Sequence, residues 1–435
     1  MLSRPAFARV FSVYVVLLGL YLSVHFVNFL WTLDSHGLSQ MSDRSPYWDF
    51  TNLWGGAVLA LKGRVAELFD VDLYRQEMRA LISPFIPDQE WSYPPSFLLL
   101  GLPFASLPLP SAYLAWTLGT LLLLFLSLRW LELPLWMRLL IVVSPAACIN
   151  VVFGQNGALT AALLLSGLLL APSRPVIAGI LLGLLTIKPQ IGLLVPFCLL
   201  ASGNYRAIAA AATTAILLVL LTAGIFGWDS WLMFLTKTRP MMTAILEAPY
   251  PQGFQKNGMT FFLLSRSLGL TIRASYAVQG LFSLASIVAA CWLWWPARRI
   301  DHTTRVCLTA VLAIVATPYG YVYDAIPLDV AAAVFFWRRR EPTILLSVAW
   351  LYPLVNHLVV AKSPLIGVLV PTCLAGWTLW NIWRNGHIRA GRGVGPDVAT
   401  ASAEPPVRSD DLDPSAESNR RVAASAGYSG ASSAN

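Results

Sequence analysis

Four short polar groups interrupt the apolar stretches of this sequence, and they contain the residue types that could carry out chemistry. They are residues 47–50 (Tyr-Trp-Asp-Phe), 154–157 (Gly-Gln-Asn-Gly), 188–190 (Lys-Pro-Gln) and 317–324 (Thr-Pro-Tyr-Gly-Tyr-Val-Tyr-Asp). Ionisable groups at membrane depth are costly and are usually functional. If the four groups converge on one face, they form a polar substrate site with both an acid and a cation.

Asp49 is the candidate acid–base group. Aromatic residues surround it, including Trp48 and Phe50, and a partly desolvated carboxylate has a raised pKa that suits a general base. An aspartate at this position could instead cap a helix that begins at Thr51. The residues alone leave both interpretations open.

Lys188 and Asp324 are the other two charged residues in these groups. Pro189 breaks a helix directly after Lys188 and frees backbone groups beside a cation. Lys188 could therefore bind a phosphate, pair with an acid, or extend its ammonium to the membrane interface. Asp324 could pair with Lys188, contact the substrate, or cap the following helix.

Metal and cofactor motifs are missing from the sequence. It contains no glycine-rich phosphate loop, and its five histidines and five cysteines lack metal-ligand spacing. The pair Asp70 and Asp72 is similar to the acidic pair of soluble sugar transferases, but helix capping explains it better here. We therefore predict that the protein has no cofactor and no metal site of a known motif. These motifs leave open whether the activity needs a divalent metal ion.

The elements that must position these residues are membrane helices. Of the 435 residues, 57% are hydrophobic and 12% are charged, whereas a soluble domain carries about 25% charged residues. This composition excludes a soluble enzyme, a nucleic-acid-binding module and a secreted disulfide scaffold. It predicts an all-α polytopic membrane protein.

The apolar stretches predict about 12 membrane spans, with a range of 10–14. Residues 34–92 form a large, acidic first outer loop with short helices, and residues 228–258 form a second outer loop. The predicted spans lie near residues 10–31, 111–129, 139–153, 158–171, 176–187, 191–201, 208–226, 275–295, 306–316, 321–337, 344–360 and 365–383.

The arginines decide the orientation. With residues 95–107 treated as a re-entrant or shallow helix, arginine-bearing loops such as 298–305 and 338–340 lie on the cytoplasmic side. The net charge of +8 then reflects topology, and we expect no nucleic-acid partner. This places both termini in the cytoplasm, with a membrane domain over residues 1–390 and a disordered cytoplasmic tail over residues 391–435.

The ordered set of motifs resembles glycosyltransferase family 87, which includes bacterial polyprenol-phosphate-mannose-dependent α-mannosyltransferases. The resemblance extends in order from Asp49 to Asp324. Its motifs are Asp49-Phe50, Leu68-Phe69-Asp70 with Tyr74, Trp91-Ser92-Tyr93-Pro94-Pro95, Gly154-Gln155-Asn156, Lys188-Pro189-Gln190 and Thr317-Pro318-Tyr319 with Tyr323-Asp324.

This resemblance implies a GT-C fold, a helical membrane bundle whose first large outer loop carries the catalytic acid. The implied donor is a polyprenyl-phosphate-linked hexose, typically mannose, and the implied acceptor is a lipid or glycan at the outer face of the inner membrane. Asp49 becomes the general base and Lys188 a contact for the donor phosphate. The further implied substrate contacts are Tyr93, Gln155, Asn156, Gln190, Tyr319 and Asp324.

The implied reaction is a direct displacement. A polyprenyl phosphate leaving group is a stabilised anion, so a cation can assist its departure. One base without a carboxylate nucleophile predicts inversion at the anomeric carbon. The alternatives are a transporter or flippase of a lipid-linked or anionic solute, and an assembly scaffold without activity.

Overall fold

The computed structural model describes residues 4–339, 344–359 and 366–391, and these residues contain helices and no β-strand. The chain divides into two units, Met1–Arg384 and Asn385–Asn435, and the fold described below is that of the first. The α-helices are α1 Arg4–Leu30, α2 Trp48–Leu61, α3 Val71–Leu81, α4 Leu98–Gly101, α5 Leu109–Ser127, α6 Leu135–Val142, α7 Pro145–Phe153, α8 Gly157–Leu170, α9 Pro175–Leu184, α10 Val195–Ala201, α11 Tyr205–Phe226, α12 Trp228–Met233, α13 Arg239–Glu247, α14 Phe261–Ser267, α15 Ile272–Trp294, α16 His302–Ala316, α17 Ile326–Arg339, α18 Ile344–Val359 and α19 Leu369–Gly391.

Four described helices are long and apolar enough to cross a membrane. They lie at Ala8–Leu30, Leu109–Leu131, Tyr205–Phe226 and Ile272–Trp294, and α6 with α7 makes a fifth if the bent pair is one span. The prediction of an all-helical protein with membrane-spanning helices is confirmed, but the count of about 12 spans is not. Several of the predicted spans are helices of 10–17 residues, shorter than the roughly 20 that a spanning helix needs.

Proline is the physical reason for the break in the predicted span 139–153. Pro145 is the first residue of α7, and the Ser144 side chain accepts a hydrogen bond from the Ala147 N–H. These are the signals of a helix start. The axes of α6 and α7 consequently differ by 43°.

The segment between α1 and α5 contains the short helices that were predicted for the first loop. The Asp70 side chain caps α3 by accepting the N–H of Leu73 at 3.1 Å, which confirms its capping role. Residues Pro95–Phe104 form a ten-residue apolar helical stretch. This stretch is too short to span a bilayer as a straight helix.

The second predicted loop is also helical. Helix α12 continues into a short π-helical stretch, Phe234–Thr238, and then into α13. Nearly all of the predicted tail, from residue 392 onward, lies outside the described residues.

Candidate active site

Asp49 is the second residue of α2, which begins at Trp48. The alternative in which Asp49 caps a helix that begins at Thr51 is therefore wrong. The residue before the helix, Tyr47, makes no side-chain cap. Asp49 lies within the first turn, where the helix dipole stabilises a negative charge. Asp49 is thus not the N-cap residue, and its carboxylate lines a cavity instead.

The first turn of α2 is anchored by the chain just after α3. The Gln89 amide donates to the carbonyl of Trp48 at 2.7 Å, and Thr51 Oγ1 donates to Gln89 Oε1 at 3.0 Å. Asn52 Nδ2 donates to the carbonyl of Glu90 at 2.9 Å. These hydrogen bonds, of which the two that involve Gln89 are buried, hold the backbone around Asp49 in place.

Two glycines bring the loop between α7 and α8 against the rest of the site. Gly154 has φ +66°, and a Cβ on it would lie 2.5 Å from the Cβ of Phe50. A Cβ on Gly157 would overlap the carbonyl oxygen of Tyr323 and lie 2.8 Å from Asn150 Oδ1. The glycines therefore allow Gln155 and the next residue, Asn156, to approach both α2 and the 317–324 segment.

We expect Gly157→Ala to lower the activity of this site at least about tenfold and to destabilise the protein by about 1–3 kcal/mol, because the methyl group meets backbone that cannot rotate away. Activity assays and thermal unfolding measure both effects. Gly119→Ala is the matched control, since Gly119 lies inside α5 with open space around it. Equal activity of the two variants would contradict the close approach.

The ammonium of Lys188 is buried and held by two partners. Its Nζ donates to Asn156 Oδ1 at 2.9 Å and forms an ion pair with Asp324. The Lys188 and Asp324 side chains are 7% and 2% exposed. Nζ also lies 5.2 Å from the centre of the Tyr323 ring. Of the alternatives for Lys188, the structure therefore shows pairing with an acid and excludes an ammonium extended to the interface.

The cavity that Asp49 faces has a volume of about 310 Å³, at the lower end of the range typical of ligand pockets. Six of the eight predicted site residues line it, and the other two, Asn156 and Asp324, bind the Lys188 ammonium behind its wall. The six are Asp49, Tyr93, Gln155, Lys188, Gln190 and Tyr319, and α13 closes the cavity with Arg239, Met242, Thr243 and Leu246.

A second cavity of about 230 Å³ also has Asp49 on its wall. The two cavities share Asp49, Ser92, Met242, Tyr319 and Tyr323. The second cavity is the more polar one, with wall residues that include Arg44, Asn52, Asp88, Gln89, Glu90 and Asn257. Two ligands could therefore meet at the Asp49 carboxylate.

The environment raises the proton affinity of the Asp49 carboxylate. Burial raises the pKa of its carboxyl to about 6, against the opposing effects of the Gln155 hydrogen bond and of the positive charges on Arg44 and Lys188. Desolvation disfavours the charged form, whereas donors and cations favour it. A carboxylate with this pKa is ionised at neutral pH and accepts a proton more readily than an exposed aspartate.

Sequence reasoning missed two parts of the site. Gln89 and Asn52, which anchor and line it, carry no signal in the sequence. Arg239 belongs to the segment that the sequence predicted only as a second outer loop. Its spacing from Met242, Thr243 and Leu246 could have marked one helical face. Among the described residues, no group of three or more His, Cys, Asp or Glu side chains could hold a metal ion.

The sequence model of glycosyltransferase family 87 matches residues 91–318, about half of the chain. The chain belongs to glycosyltransferase family 87. The match includes Tyr93, Gln155 and Lys188, while Asp49 precedes it and Asp324 follows it. No curated protein and no solved structure matches the chain.

Family membership decides between the classes of function that the sequence left open. This glycosyltransferase 87 protein is a membrane-embedded transferase that needs a sugar donor and an acceptor. The transporter alternative is set aside, because the family is one of glycosyltransferases. Two cavities that meet at one carboxylate suit a reaction with two substrates.

Proposed function

We propose that this protein transfers a hexose, with mannose the first choice, from a polyprenyl-phosphate-linked donor to a hydroxyl group of a lipid or glycan acceptor. Asp49 is the general base, and the anomeric configuration is inverted. The observation that carries the proposal is the position of Asp49 on the wall shared by two cavities, one with Lys188 on its wall.

The larger cavity suits the donor. The Lys188 ammonium has three N–H donors, and Asn156 and Asp324 take two of them. The third can contact the phosphate oxygen that leaves the sugar. Gln155, Gln190 and the phenol groups of Tyr93 and Tyr319 also line this cavity and can bind sugar hydroxyls.

The smaller cavity suits the acceptor. Its amides and carboxylates, such as Asn52 and Glu90, are partners that recognise hydroxyl groups, and the aromatic ring of Tyr321 lines it as well. An acceptor hydroxyl in this cavity reaches Asp49, which also lines the donor cavity. Attack by that hydroxyl on the anomeric carbon displaces the phosphate.

The absence of a second acid beside the donor supports inversion. Among the described residues that line the larger cavity, Asp49 is the only carboxylate. A double displacement needs a nucleophile in addition to the acid–base group. Direct attack by the acceptor oxygen needs only the base.

The proposal includes the wider architecture that the resemblance implies. The protein has a GT-C-like bundle with about 12 crossings over residues 1–390, counting shorter helices that pack as partial spans, and a cytoplasmic tail over residues 391–435. It lies in the bacterial inner membrane with both termini inside, and the site opens to the outer face. The arginine-bearing loops support this orientation.

A transfer assay tests the donor. The protein in nanodiscs receives radiolabelled polyprenyl-phosphate mannose, polyprenyl-phosphate glucose or GDP-mannose, together with a membrane lipid extract. We expect labelled product from a polyprenyl phosphate donor and none from the nucleotide sugar, and α-mannosidase or β-mannosidase digestion reports the anomer of a mannosyl product. Transfer from GDP-mannose alone would overturn the proposed donor.

The pH profile tests the base. With the Asp49 pKa at about 6, the ionised fraction rises with pH through that value, so kcat/KM should increase on an acid limb near pH 6 and level off above pH 7. An unperturbed aspartate would place the limb near pH 4. Initial rates from pH 4.5 to 8.5 measure the limb, and a flat profile over this range would contradict the raised pKa.

A further inference from the structure

Arg239 is the second cation on the wall of the larger cavity. It is the first residue of α13, and Met242, Thr243 and Leu246 follow it at intervals of three, four and seven residues. These positions share one face of a helix. The π-helical stretch directly before Arg239 is of a kind that frequently occurs at functional sites.

The charge balance of the cavity gives Arg239 its significance. The ammonium of Lys188 is offset by Asp324, with which it forms a buried ion pair. Asp49 adds a negative charge at neutral pH. Among the described side chains, Arg239 forms no ion pair, so on the wall of this cavity it is the cation whose charge no paired carboxylate offsets. Arg44, which also acts on Asp49, lies on the wall of the second cavity. Without Arg239, the charges of Lys188, Asp324 and Asp49 would leave the larger cavity net negative, which disfavours an anionic donor.

We propose that Arg239 binds the phosphate of the donor and, more strongly, that of the polyprenyl phosphate product. This inference rests on the proposed function. When the acceptor oxygen bonds to the anomeric carbon, the bond from that carbon to the phosphate oxygen breaks, and the phosphate keeps the electron pair. The acceptor proton goes to Asp49. The phosphate thereby changes from a monoanionic diester to a monoester of up to two charges, which a guanidinium fork holds in bidentate fashion.

A binding experiment tests this inference without catalysis. Polyprenyl phosphate is titrated into protein in neutral phosphatidylcholine nanodiscs, and intrinsic tryptophan fluorescence reports the Kd. We expect Arg239→Gln to weaken binding of polyprenyl phosphate about tenfold or more and binding of uncharged polyprenol less than twofold. Arg239→Lys should recover part of the loss, because it restores the charge without the fork.

Lys237→Gln is the matched control. Lys237 is exposed, lies two residues before Arg239 in the π-helical stretch, and does not line the cavity. Its replacement should leave the Kd unchanged. An equal loss of affinity in both variants would show that the effect comes from surface charge, and it would overturn the inference.

Two further comparisons distinguish a donor phosphate from an acceptor phosphate, and the role of Arg239 from the proposed function. Phosphatidylinositol represents an acceptor that carries its own phosphate. If Arg239→Gln weakened binding of this lipid but not binding of polyprenyl phosphate, the assignment of Arg239 to the donor would be overturned. Equal binding of polyprenyl phosphate by wild type and Arg239→Gln would refute the role of Arg239 and leave the proposed function intact. No binding by the wild type would refute the proposed donor itself.

Discussion

Replacing Asp49 with Asn should lower the rate of sugar transfer about 10²–10⁴-fold, which is the usual contribution of a positioned general base. The amide has the shape of the carboxylate but cannot accept the proton of the acceptor. The loss should fall on kcat more than on KM for the donor, because the cation contacts remain. The acid limb of the pH profile should disappear from the residual activity.

The same variant should be at least as stable as the wild type at pH 8. Burial raises the pKa of Asp49, so the folded state is favoured while the group is protonated, and this contribution is lost as the pH rises through about 6. A neutral amide avoids that loss. Thermal unfolding at pH 5 and pH 8 measures the difference, and the wild type should lose more stability than Asp49→Asn between the two.

Asp72→Asn is the matched control for Asp49→Asn. Asp72 is also the second residue of a helix, but its side chain is exposed and lies outside both cavities. Its replacement should leave transfer within about twofold of the wild type. A folded Asp49→Asn protein with wild-type transfer would remove Asp49 as the base.

The second large effect is expected at the buried ion pair. Lys188→Met or Asp324→Asn alone should destabilise the protein by about 3–5 kcal/mol, since each leaves one buried group without its partner. Both variants should lose transfer. The double variant should recover much of the stability because no uncompensated charge remains, but it should stay inactive because the ammonium is gone.

Equilibrium unfolding in mild detergent, together with transfer assays, separates these outcomes. Arg79→Gln provides the comparison, since Arg79 pairs with Asp88 and both side chains are more than 40% exposed. Such a surface pair contributes about 0–1 kcal/mol. If the double variant were as unstable as the sum of its two single variants, the Lys188–Asp324 pair would not be the coupled unit that the geometry indicates.

Local features of the fold were predictable because they depend on neighbouring residues. The apolar composition indicated membrane helices, and the capping role of Asp70 followed from its position before a helix. The number of spans was less predictable. Pro145 interrupts an apolar stretch that the prediction counted as one span, residues 139–153, so this span became a bent pair of short helices.

The candidate site was predictable as a set of residue types, but its geometry was not. The sequence by itself marked Asp49, Lys188 and Asp324 as polar exceptions within an apolar chain, and it determined that they lie at helix ends. Only the tertiary structure decided that Lys188 pairs with Asp324, 136 residues away, and that Arg239 faces the same cavity. The physical reason is that these contacts depend on how closely the helices pack, as at Gly157 against the Tyr323 backbone, and no local spacing encodes that distance.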